Sequence, residues 1–405
     1  MNSITLSLHI ALWLTGGFLT VIIGYLLLLT VAAWWTTKQT PRRATGPTHR
    51  FALLVPAHNE EKLLPALLEN MRQLDYPQQL FTLYVVADNC TDQTAALARA
   101  ASVVAYERFD QINIGKGYAL QWLLAQLQEA GTQFDAAVIL DADSVISPNF
   151  LTVMDAQLAS GARVIQAHYA VLNPGRSWVM SLRAAALALV HYLRPLGRTA
   201  LGGSVGLKGN GMVFHRSILA EHQWSASVTE DIEYHMSLVL AGERVTFAPD
   251  ATVWAEMPGT LHGAHSQNVR WEQGRLQLAV QYIPKLLRAT FAAPAKETRP
   301  SRYVLFDSMM EHLIPPFSIV TGLTLIYLIL TVIWGTPTLV LLASGLFIGQ
   351  LVYILAGLIL ARTPASTYRA LLYAPFFVLW KIWLLVRVIG RSEQAGWVRT
   401  ARDGA

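Results

Sequence analysis

The feature that most constrains this chain is a long uncharged run near its start. Residues Leu6 to Trp35 contain no Asp, Glu, Lys or Arg. At about 1.5 Å per residue, a helix of this length exceeds the roughly 30 Å hydrocarbon core of a bilayer. A membrane-spanning helix is therefore predicted over residues 1–37. A cleaved signal peptide is disfavoured, because the run is too long and no basic residue precedes it.

Apolar runs return towards the other end of the chain. Residues 314–334 and 337–361 are two such runs joined by a short Gly-Thr-Pro link, so a hairpin of membrane spans is assigned to residues 301–362. The next segment is interrupted by Lys381 and Arg387, which favours an interfacial or re-entrant helix followed by a basic tail over residues 363–405. A further interfacial helix is predicted over residues 276–300.

The middle of the chain has the composition of a soluble domain. Nearly all Asp and Glu residues fall between Glu60 and Glu311, although the whole sequence is 53% hydrophobic and only 14% charged. Residues 38–275 are assigned to this domain. The net charge is +5, but the basic residues cluster beside the apolar runs, which favours membrane lipids over nucleic acid as partners. About three spans are too few to enclose a transport path, so a transporter is disfavoured.

Short β-branched runs alternate with helical patterns in this domain, which predicts an α/β fold with a Rossmann-like mixed sheet. Ligands bind such sheets at the carboxyl ends of the strands. The predicted strands are residues 51–57, 81–88, 102–107 and 136–140, and the predicted helices between them are 61–73, 92–101 and 118–130.

Asp141 and Asp143 follow the fourth predicted strand. In an extended chain both carboxylates would point to one side, and two hard oxygen ligands suit Mg²⁺ or Mn²⁺. The alternative is a solvated turn that caps a helix beginning at residues 144–148.

Three other segments are candidates for chemistry, each with a plainer structural alternative. Asp88 lies in a turn-rich stretch and could bind a nucleoside, or the stretch could only cap a helix. Lys116, flanked by glycines before a helix, suits a diphosphate, but surface loops share this pattern. Glu230 and Asp231 begin a helix, where Asp231 could act as a general base or merely favour the helix start.

A last candidate group shares one face of a predicted helix, because Gln267, Arg270 and Trp271 lie at positions i, i+3 and i+4. Arg270 can bind phosphate oxygens and Trp271 can stack on a sugar ring, although an interfacial helix also carries such residues.

Taken in order, five motifs resemble those of family 2 glycosyltransferases, in particular the membrane-integrated branch that makes cellulose, hyaluronan, chitin, poly-N-acetylglucosamine and glucosylceramide. The motifs are Leu-Val-Pro-Ala-His-Asn-Glu-Glu at 54–61, Val-Val-Ala-Asp-Asn-Cys-Thr-Asp at 85–92, Asp-Ala-Asp at 141–143, Thr-Glu-Asp at 229–231 and Gln-Asn-Val-Arg-Trp at 267–271. They span about half of the chain. The resemblance implies a GT-A nucleotide-sugar fold.

The resemblance also implies roles for these residues. Glu60 and Asp88 would line the nucleoside pocket, Lys116 would approach the phosphates, and Asp143 with Asp141 would hold the metal. Asp231 would be the base. The remaining residues would contact the diphosphate or the acceptor: Gln267, Arg270, Trp271, Glu230, Gly209 and Asn210. Two departures are Ala87, where relatives often have Asp, and Asn89-Cys90, which replace a frequent Gly-Ser.

The function implied by the resemblance is inverting transfer of a hexose or N-acetylhexosamine from a UDP-sugar to an acceptor hydroxyl, with Mg²⁺ or Mn²⁺. A β-linked polysaccharide is the expected product, and the alternative is a lipid glycosyltransferase that adds one sugar. The expected location is the inner (plasma) membrane, multi-pass, with a cytosolic catalytic domain. A partner membrane subunit is also a possibility of this branch.

Overall fold

A computed structural model describes residues 3–36, 46–224, 230–292 and 301–389. The chain divides into two compact units, described separately below. Unit 1 comprises Met1–Gln39, Pro174–Leu201 and His312–Glu393, and unit 2 comprises Thr40–Asn173, Gly202–Glu311 and Gln394–Ala405.

Unit 2 contains a mixed sheet of eight strands in the order β3-β2-β1-β4-β7-β6-β8-β5. The strands are β1 Phe51–Ala57, β2 Phe81–Asp88, β3 Val104–Arg108, β4 Ala136–Ile139, β5 Ser144–Ile146, β6 Val164–Val171, β7 Met212–His215 and β8 Val245–Ala255. The first four are parallel to one another, whereas β7 is antiparallel to both β4 and β6. The fold class is the α/β class predicted from the sequence.

The core of unit 2 follows from the apolar composition of its central strands. Five of the seven residues of β1 and all of β4 are aliphatic and almost fully buried, as expected for parallel strands covered on both faces. The helices of this unit are α2 Leu64–Met71, α3 Thr94–Ala100, α4 Lys116–Glu129, α5 Phe150–Ala159, α8 Arg216–Glu221, α9 Glu230–Ala241, α10 Leu261–Phe291 and α11 Arg302–Leu313, of which the last continues two residues into unit 1.

Helix α10 continues through residue 275, where the sequence analysis predicted the boundary between the soluble domain and an interfacial helix. It is one helix from Leu261 to Phe291, and its second half buries Leu278, Tyr282 and Leu286 against α9 and α11. These apolar residues therefore belong to the core of unit 2, in place of the separate interfacial helix expected over residues 276–300.

Unit 1 consists of helices. They are α1 Ser3–Thr36, α6 Trp178–Leu187, α7 Arg194–Ala200, α12 Phe317–Trp334, α13 Pro337–Leu360, α14 Ala365–Ala370 and α15 Ala374–Ile389, with a π-helical segment, Ala188–Leu193, between α6 and α7. Three described helices are long and apolar enough to cross a membrane, namely Leu6–Thr36, Phe317–Trp334 and Pro337–Leu360. The predicted hairpin therefore corresponds to α12 and α13, while α11 is a separate helix ahead of it.

Residues 174–201 were expected to be part of the soluble domain, but they pack in unit 1. A Cβ added at Gly197 would lie 2.3 Å from the carbonyl oxygen of Leu29, so α7 meets the backbone of α1 directly. A Cβ at Gly357 would similarly lie 2.3 Å from Leu189 Cδ2. Glycine at both positions permits close packing between helices, a frequent device among membrane helices.

Candidate active site

Three loops that carry the predicted site residues leave the same edge of the sheet. The parallel register pairs Ala57 with Ala87 and Leu54 with Ile139, so β1, β2 and β4 end side by side. The loops that follow contain Asn59-Glu60, Asp88 to Asp92, and Asp141 to Asp143. The structure thus places these motifs at one sheet edge, as the parallel arrangement of the strands predicts.

Asp88 is buried against an arginine that the sequence analysis did not single out. Arg108 Nη1 donates to Asp88 Oδ1 at 2.6 Å, and both side chains are almost fully buried. Burial raises the pKa of Asp88, although the hydrogen bond and charge of Arg108 oppose the rise. Arg108 also donates to Asp110 and to the carbonyl oxygen of Asn113, so it fixes the loop after β3.

The loops after β1 and β2 hold each other through side-chain to backbone hydrogen bonds. The amide of Thr91 donates to Asn59 Oδ1 at 2.8 Å, and the amide of Glu60 donates to Thr94 Oγ1 at 2.8 Å. Asn59 has φ 55°, in the left-handed region that Asn tolerates better than most residues. His58 Nδ1 lies 2.7 Å from the carbonyl oxygen of Asp88. The hydrogen bond from its amide to Thr94 fixes the backbone of Glu60, and the residue is half-buried.

Lys116 joins two of the predicted site segments. Its ammonium group donates to Asp141 Oδ1 at 2.5 Å and also to the carbonyl oxygen of Gly209. Burial lowers the pKa of Lys116, but attraction from Asp141, Glu230 and Asp231 outweighs burial, so the pKa lies above its ordinary value. The lysine is a fixed cation at the sheet edge, beside three carboxylates.

The segment before β7, which contains Gly209 and Asn210, lies beside Lys116. Asn210 is fully buried, accepts from the amide of Asp141 at 3.2 Å, and donates to Ser144 Oγ at 2.8 Å. Gly209 has φ +76°, and a Cβ there would lie 3.3 Å from Asp231 Oδ2. A side chain at residue 209 would therefore be strained and would crowd the predicted base.

Glu230 and Asp231 begin α9 and face Lys116. Burial raises the pKa of Glu230 to about 8, helped by the charge of Asp231 and opposed by Lys116. Burial also raises the pKa of Asp231, while the amide of Ile232, which donates to Asp231 Oδ1 at 2.9 Å, opposes the rise. The raised pKa values mean that both carboxylates bind a proton more readily than usual, which suits a proton acceptor at this place.

Asp141 and Asp143 follow the fourth strand, as predicted, but the chain there forms a tight turn and is not extended as assumed from the sequence. The amide of Ser144 donates to the carbonyl oxygen of Asp141 at 3.1 Å, and the chain then enters β5. The helix expected at residues 144–148 begins only at Phe150. Asp141 already holds a cation, the Lys116 ammonium, and Asp143 is half-buried two residues further on. Carboxylate oxygens on such a turn fit a divalent cation, so the donor set suits Mg²⁺ or Mn²⁺.

The last motif lies on α10. Trp271 is 42% exposed, which leaves part of its ring available for stacking. The side chains of Gln267 and Arg270 lie outside the described residues, so their predicted contacts remain predictions.

Sequence analysis also missed Lys208 and Glu311. Lys208 Nζ lies 3.1 Å from Glu311 Oε1, and the charge of Lys208 opposes the rise in the pKa of Asp231. A Cβ at Gly206 would lie 2.7 Å from Glu311 Oε1, so a side chain at residue 206 would displace this carboxylate. The pair joins residues more than 100 positions apart, which no local pattern could indicate.

The carboxyl edge of this α/β sheet, where such sheets bind ligands, thus gathers Asp88, Lys116, the turn of Asp141 and Asp143, and the two carboxylates that begin α9. Residues 47–274, more than half of the chain, match the family model described as "Glycosyltransferase like family 2". The chain belongs to this glycosyltransferase family.

Relatives with curated names include enzymes that make a glycolipid and a polysaccharide. The chain is 24% identical over 99% of its length to beta-monoglucosyldiacylglycerol synthase of Trichormus variabilis, with 86% of that protein covered. It is 27% identical to the enzyme of the same name from Synechocystis over 61% of this chain, which spans only 53% of that relative. It is also 25% identical to poly-beta-1,6-N-acetyl-D-glucosamine synthase of Staphylococcus aureus, over 65% of this chain and 62% of that protein.

Among solved structures, a mannosyltransferase of Pyrobaculum calidifontis in complex with GDP-Man and Mn²⁺ aligns with a TM-score of 0.55 and 20% identity. The alignment covers 88% of this chain and 98% of the mannosyltransferase chain. The likeness shows that the fold is of the GT-A type, as the resemblance implied.

Proposed function

We propose that this protein is a membrane-bound, inverting and metal-dependent glycosyltransferase that moves a hexose or N-acetylhexosamine from a UDP-sugar to an acceptor hydroxyl. The observation that carries the proposal is the cluster of Lys116, Asp141, Glu230 and Asp231 around Gly209. A fixed cation and a half-buried carboxylate that can act as the base lie side by side there, as a single displacement at the anomeric carbon requires.

In the proposed mechanism, Asp231 accepts the proton of the acceptor hydroxyl. The acceptor oxygen then bonds to the anomeric carbon as the bond from that carbon to the diphosphate oxygen breaks, and UDP leaves. Lys116 offsets the negative charge that grows on the diphosphate. Asp88, held by Arg108, and Glu60 line the nucleoside side of the pocket. Gln267 and Arg270 are proposed to contact the diphosphate.

Asp141 and Asp143 would hold Mg²⁺ or Mn²⁺, which supplies further neutralisation of the diphosphate when bound. Lys116 lies against Asp141 in the structure, so this carboxylate is already arranged to receive a positive charge. The Mn²⁺ in the mannosyltransferase of similar fold supports a divalent ion at this place.

The acceptor is proposed to be a lipid headgroup or a growing polysaccharide, contacted by Trp271, Glu230, Gly209 and Asn210. Similarity to the Trichormus glycolipid synthase runs along 99% of the chain, which favours the lipid. Similarity to the staphylococcal polysaccharide synthase covers 65% of the chain and supports the second candidate. The three helices that are long and apolar enough to cross a membrane support a reaction at a bilayer, and the basic segments beside them favour a cytosolic catalytic unit in the inner membrane.

The test is transfer by purified protein. The full chain, in lipid vesicles that contain diacylglycerol, is incubated with radiolabelled UDP-glucose, UDP-galactose or UDP-N-acetylglucosamine plus Mg²⁺ or Mn²⁺. We expect label in the organic phase for a lipid acceptor and in ethanol-insoluble polymer for a polysaccharide. Label in neither fraction with any donor, in a preparation that binds UDP, would contradict the proposed activity.

A further inference from the structure

Unit 1 carries a buried arginine whose charge is not matched by any acidic residue of that unit in the described chain. Asp and Glu are absent from residues 1–39, 174–201 and 312–392, which together form all of unit 1 except Glu393. Residues 174–201 alone contain four arginines, of which Arg183, Arg194 and Arg198 are buried and Arg176 is exposed. The charge of this helical segment is therefore positive and largely removed from solvent.

Arg194 defines the candidate site. It is the first residue of α7 and only 7% of its surface is exposed. Its Nε donates to the hydroxyl of Tyr353 at 2.8 Å, and its guanidinium carbon lies 5.9 Å from the centre of the Tyr353 ring. Its Nη2 has no hydrogen-bond partner among the described residues. Tyr353 thus fixes one edge of the guanidinium, while Nη2 is buried and its hydrogen-bonding capacity is unsatisfied among the described residues.

A buried guanidinium group with an unsatisfied N–H donor favours the binding of an anion. Arginine keeps its proton at any physiological pH, so it cannot reduce the cost of burial by becoming neutral. An uncompensated buried charge costs on the order of several kcal/mol. Phosphate oxygens are a natural ligand for a guanidinium group, which presents its N–H donors in a planar fork.

The position of Arg194 favours a phosphate carried by a lipid. Gly197, one turn along α7, packs on Leu29, which lies seven residues before the end of α1 at Thr36. Tyr353 likewise lies seven residues before the end of α13 at Leu360. Seven helical residues span about 10 Å, so Arg194 lies about two turns inside the ends of two candidate membrane helices, on the side of each helix where a lipid phosphate would lie nearby. Both helix ends lead into basic residues, Lys38 and Arg362, as expected where anionic headgroups gather.

We propose that Arg194, held by Tyr353 on α13, binds the phosphate of an anionic membrane phospholipid within unit 1. Every residue that defines this site belongs to the helical unit, and none of them is among the residues proposed for the donor or the acceptor.

The experiment compares four forms of the full chain in neutral detergent: the natural sequence, Arg194→Gln, Arg194→Lys and the exposed control Arg176→Gln. Each is titrated with micelles of phosphatidylglycerol or phosphatidylcholine, and separately with inorganic phosphate. The readouts are the melting temperature and the number of lipids retained in native mass spectrometry. Neither readout depends on transferase activity.

We expect phosphatidylglycerol, but neither phosphatidylcholine nor inorganic phosphate, to raise the melting temperature of the natural chain and of Arg176→Gln by about 2–4 °C, and one phosphatidylglycerol to be retained. The rise and the retained lipid should disappear in Arg194→Gln and persist at least partly in Arg194→Lys. Equal retention of both lipids by the natural chain would overturn the proposal without any variant. So would undiminished phosphatidylglycerol retention by Arg194→Gln, or saturation of the effect by inorganic phosphate alone.

Discussion

Asp231 is the residue on which the proposed chemistry depends most. Its carboxylate is fixed by the amide of Ile232, and a Cβ at Gly209 would lie 3.3 Å from it. We expect Asp231→Asn to retain UDP binding, because the fold and the donor pocket are unchanged, while the transfer rate falls by roughly 100-fold or more. Calorimetry with UDP and initial rates measure the two effects. The exposed Asp75→Asn is the matched control, and loss of UDP affinity in Asp231→Asn would make this residue a donor ligand instead.

Replacement of Glu230 should change how the KM for the donor depends on pH. Its pKa is raised to about 8, so the side chain is mostly neutral at pH 7 and becomes charged as the pH rises further. Because glutamine resembles a protonated glutamate, we expect Glu230→Gln to keep transfer at pH 7 within about threefold. Above pH 8 the natural chain should show a rising KM for the anionic donor, and the variant should not. Identical pH profiles of KM would contradict this assignment.

Asp143 is the cleaner probe of metal binding, since Asp141 also holds Lys116. We expect Asp143→Asn to abolish transfer and most Mn²⁺-dependent UDP binding with little effect on the melting temperature, because a ligand on a turn contributes little to the core. Binding of UDP is measured with and without Mn²⁺. Normal turnover by Asp143→Asn would remove this residue from the proposed metal site.

At the scale of elements, Asp155 ties α5 to the segment that precedes β1. Its Oδ1 accepts from the amide and the hydroxyl of Thr48, from the amide and Nδ1 of His49 and from the hydroxyl of Tyr76, at distances of 2.7 to 3.2 Å. Burial raises the pKa of Asp155, but these hydrogen bonds outweigh burial and hold the pKa below its ordinary value. The carboxylate therefore stabilises the start of the sheet when it is ionised.

We expect Asp155→Asn to lower the free energy of unfolding by about 2–4 kcal/mol at pH 7, since several hydrogen bonds to a charged acceptor are lost or weakened. The folded-state pKa is depressed, so this contribution is fully present above the unfolded pKa of about 4 and is lost as the pH falls through the folded pKa. Thermal unfolding from pH 7 to pH 3 measures the difference, with Asp250→Asn as an exposed control. A difference that grew on acidification would contradict the sign of this linkage.

At the scale of the whole molecule, the chain passes repeatedly between a helical unit and an α/β unit. The start of α13 is separated from its end by 24 residues, or about 36 Å, which is enough to cross a bilayer. If α12 and α13 form a hairpin of spans from the cytosol, their short link faces the outside. The segment after Leu360 and the basic segments after Trp35 and Gly390 then face the cytosol.

We therefore expect a membrane-impermeant maleimide to label Thr338→Cys in intact cells and to label Ala365→Cys and Trp397→Cys only after permeabilisation. The background is Cys90→Ser, which removes the single natural thiol. Equal labelling of Thr338→Cys and Ala365→Cys in intact cells, with a cytosolic marker protein unlabelled, would reject the hairpin. Labelling of Trp397→Cys from outside would place the tail across the membrane.

The sequence by itself determined the features that depend on local pattern. The bounds of β1 and β2 were predicted at Phe51–Ala57 and Phe81–Asp88, because a buried strand is a short apolar run bounded by polar residues. Asp88, Asp141 and Asp143 were found for the same reason, since the ends of such strands mark the sheet edge. Long uncharged runs likewise identified α1, α12 and α13, because only length and hydropathy decide whether a helix can span a bilayer.

Tertiary structure decided what depends on contacts between distant residues. The partners of Asp88 and Lys116 lie 20 and 25 positions away at Arg108 and Asp141, and no sequence period relates them. Residues 174–201 have neither the length nor the uniform hydropathy of a span, and only close packing on α1 and α13 places them in the helical unit. Leu278 and Leu286 were assigned to an interface because they are apolar, whereas burial against α9 and α11 makes them core. The local sequence pattern shows which apolar surfaces must be buried, but only the three-dimensional fold determines which residues pack against them.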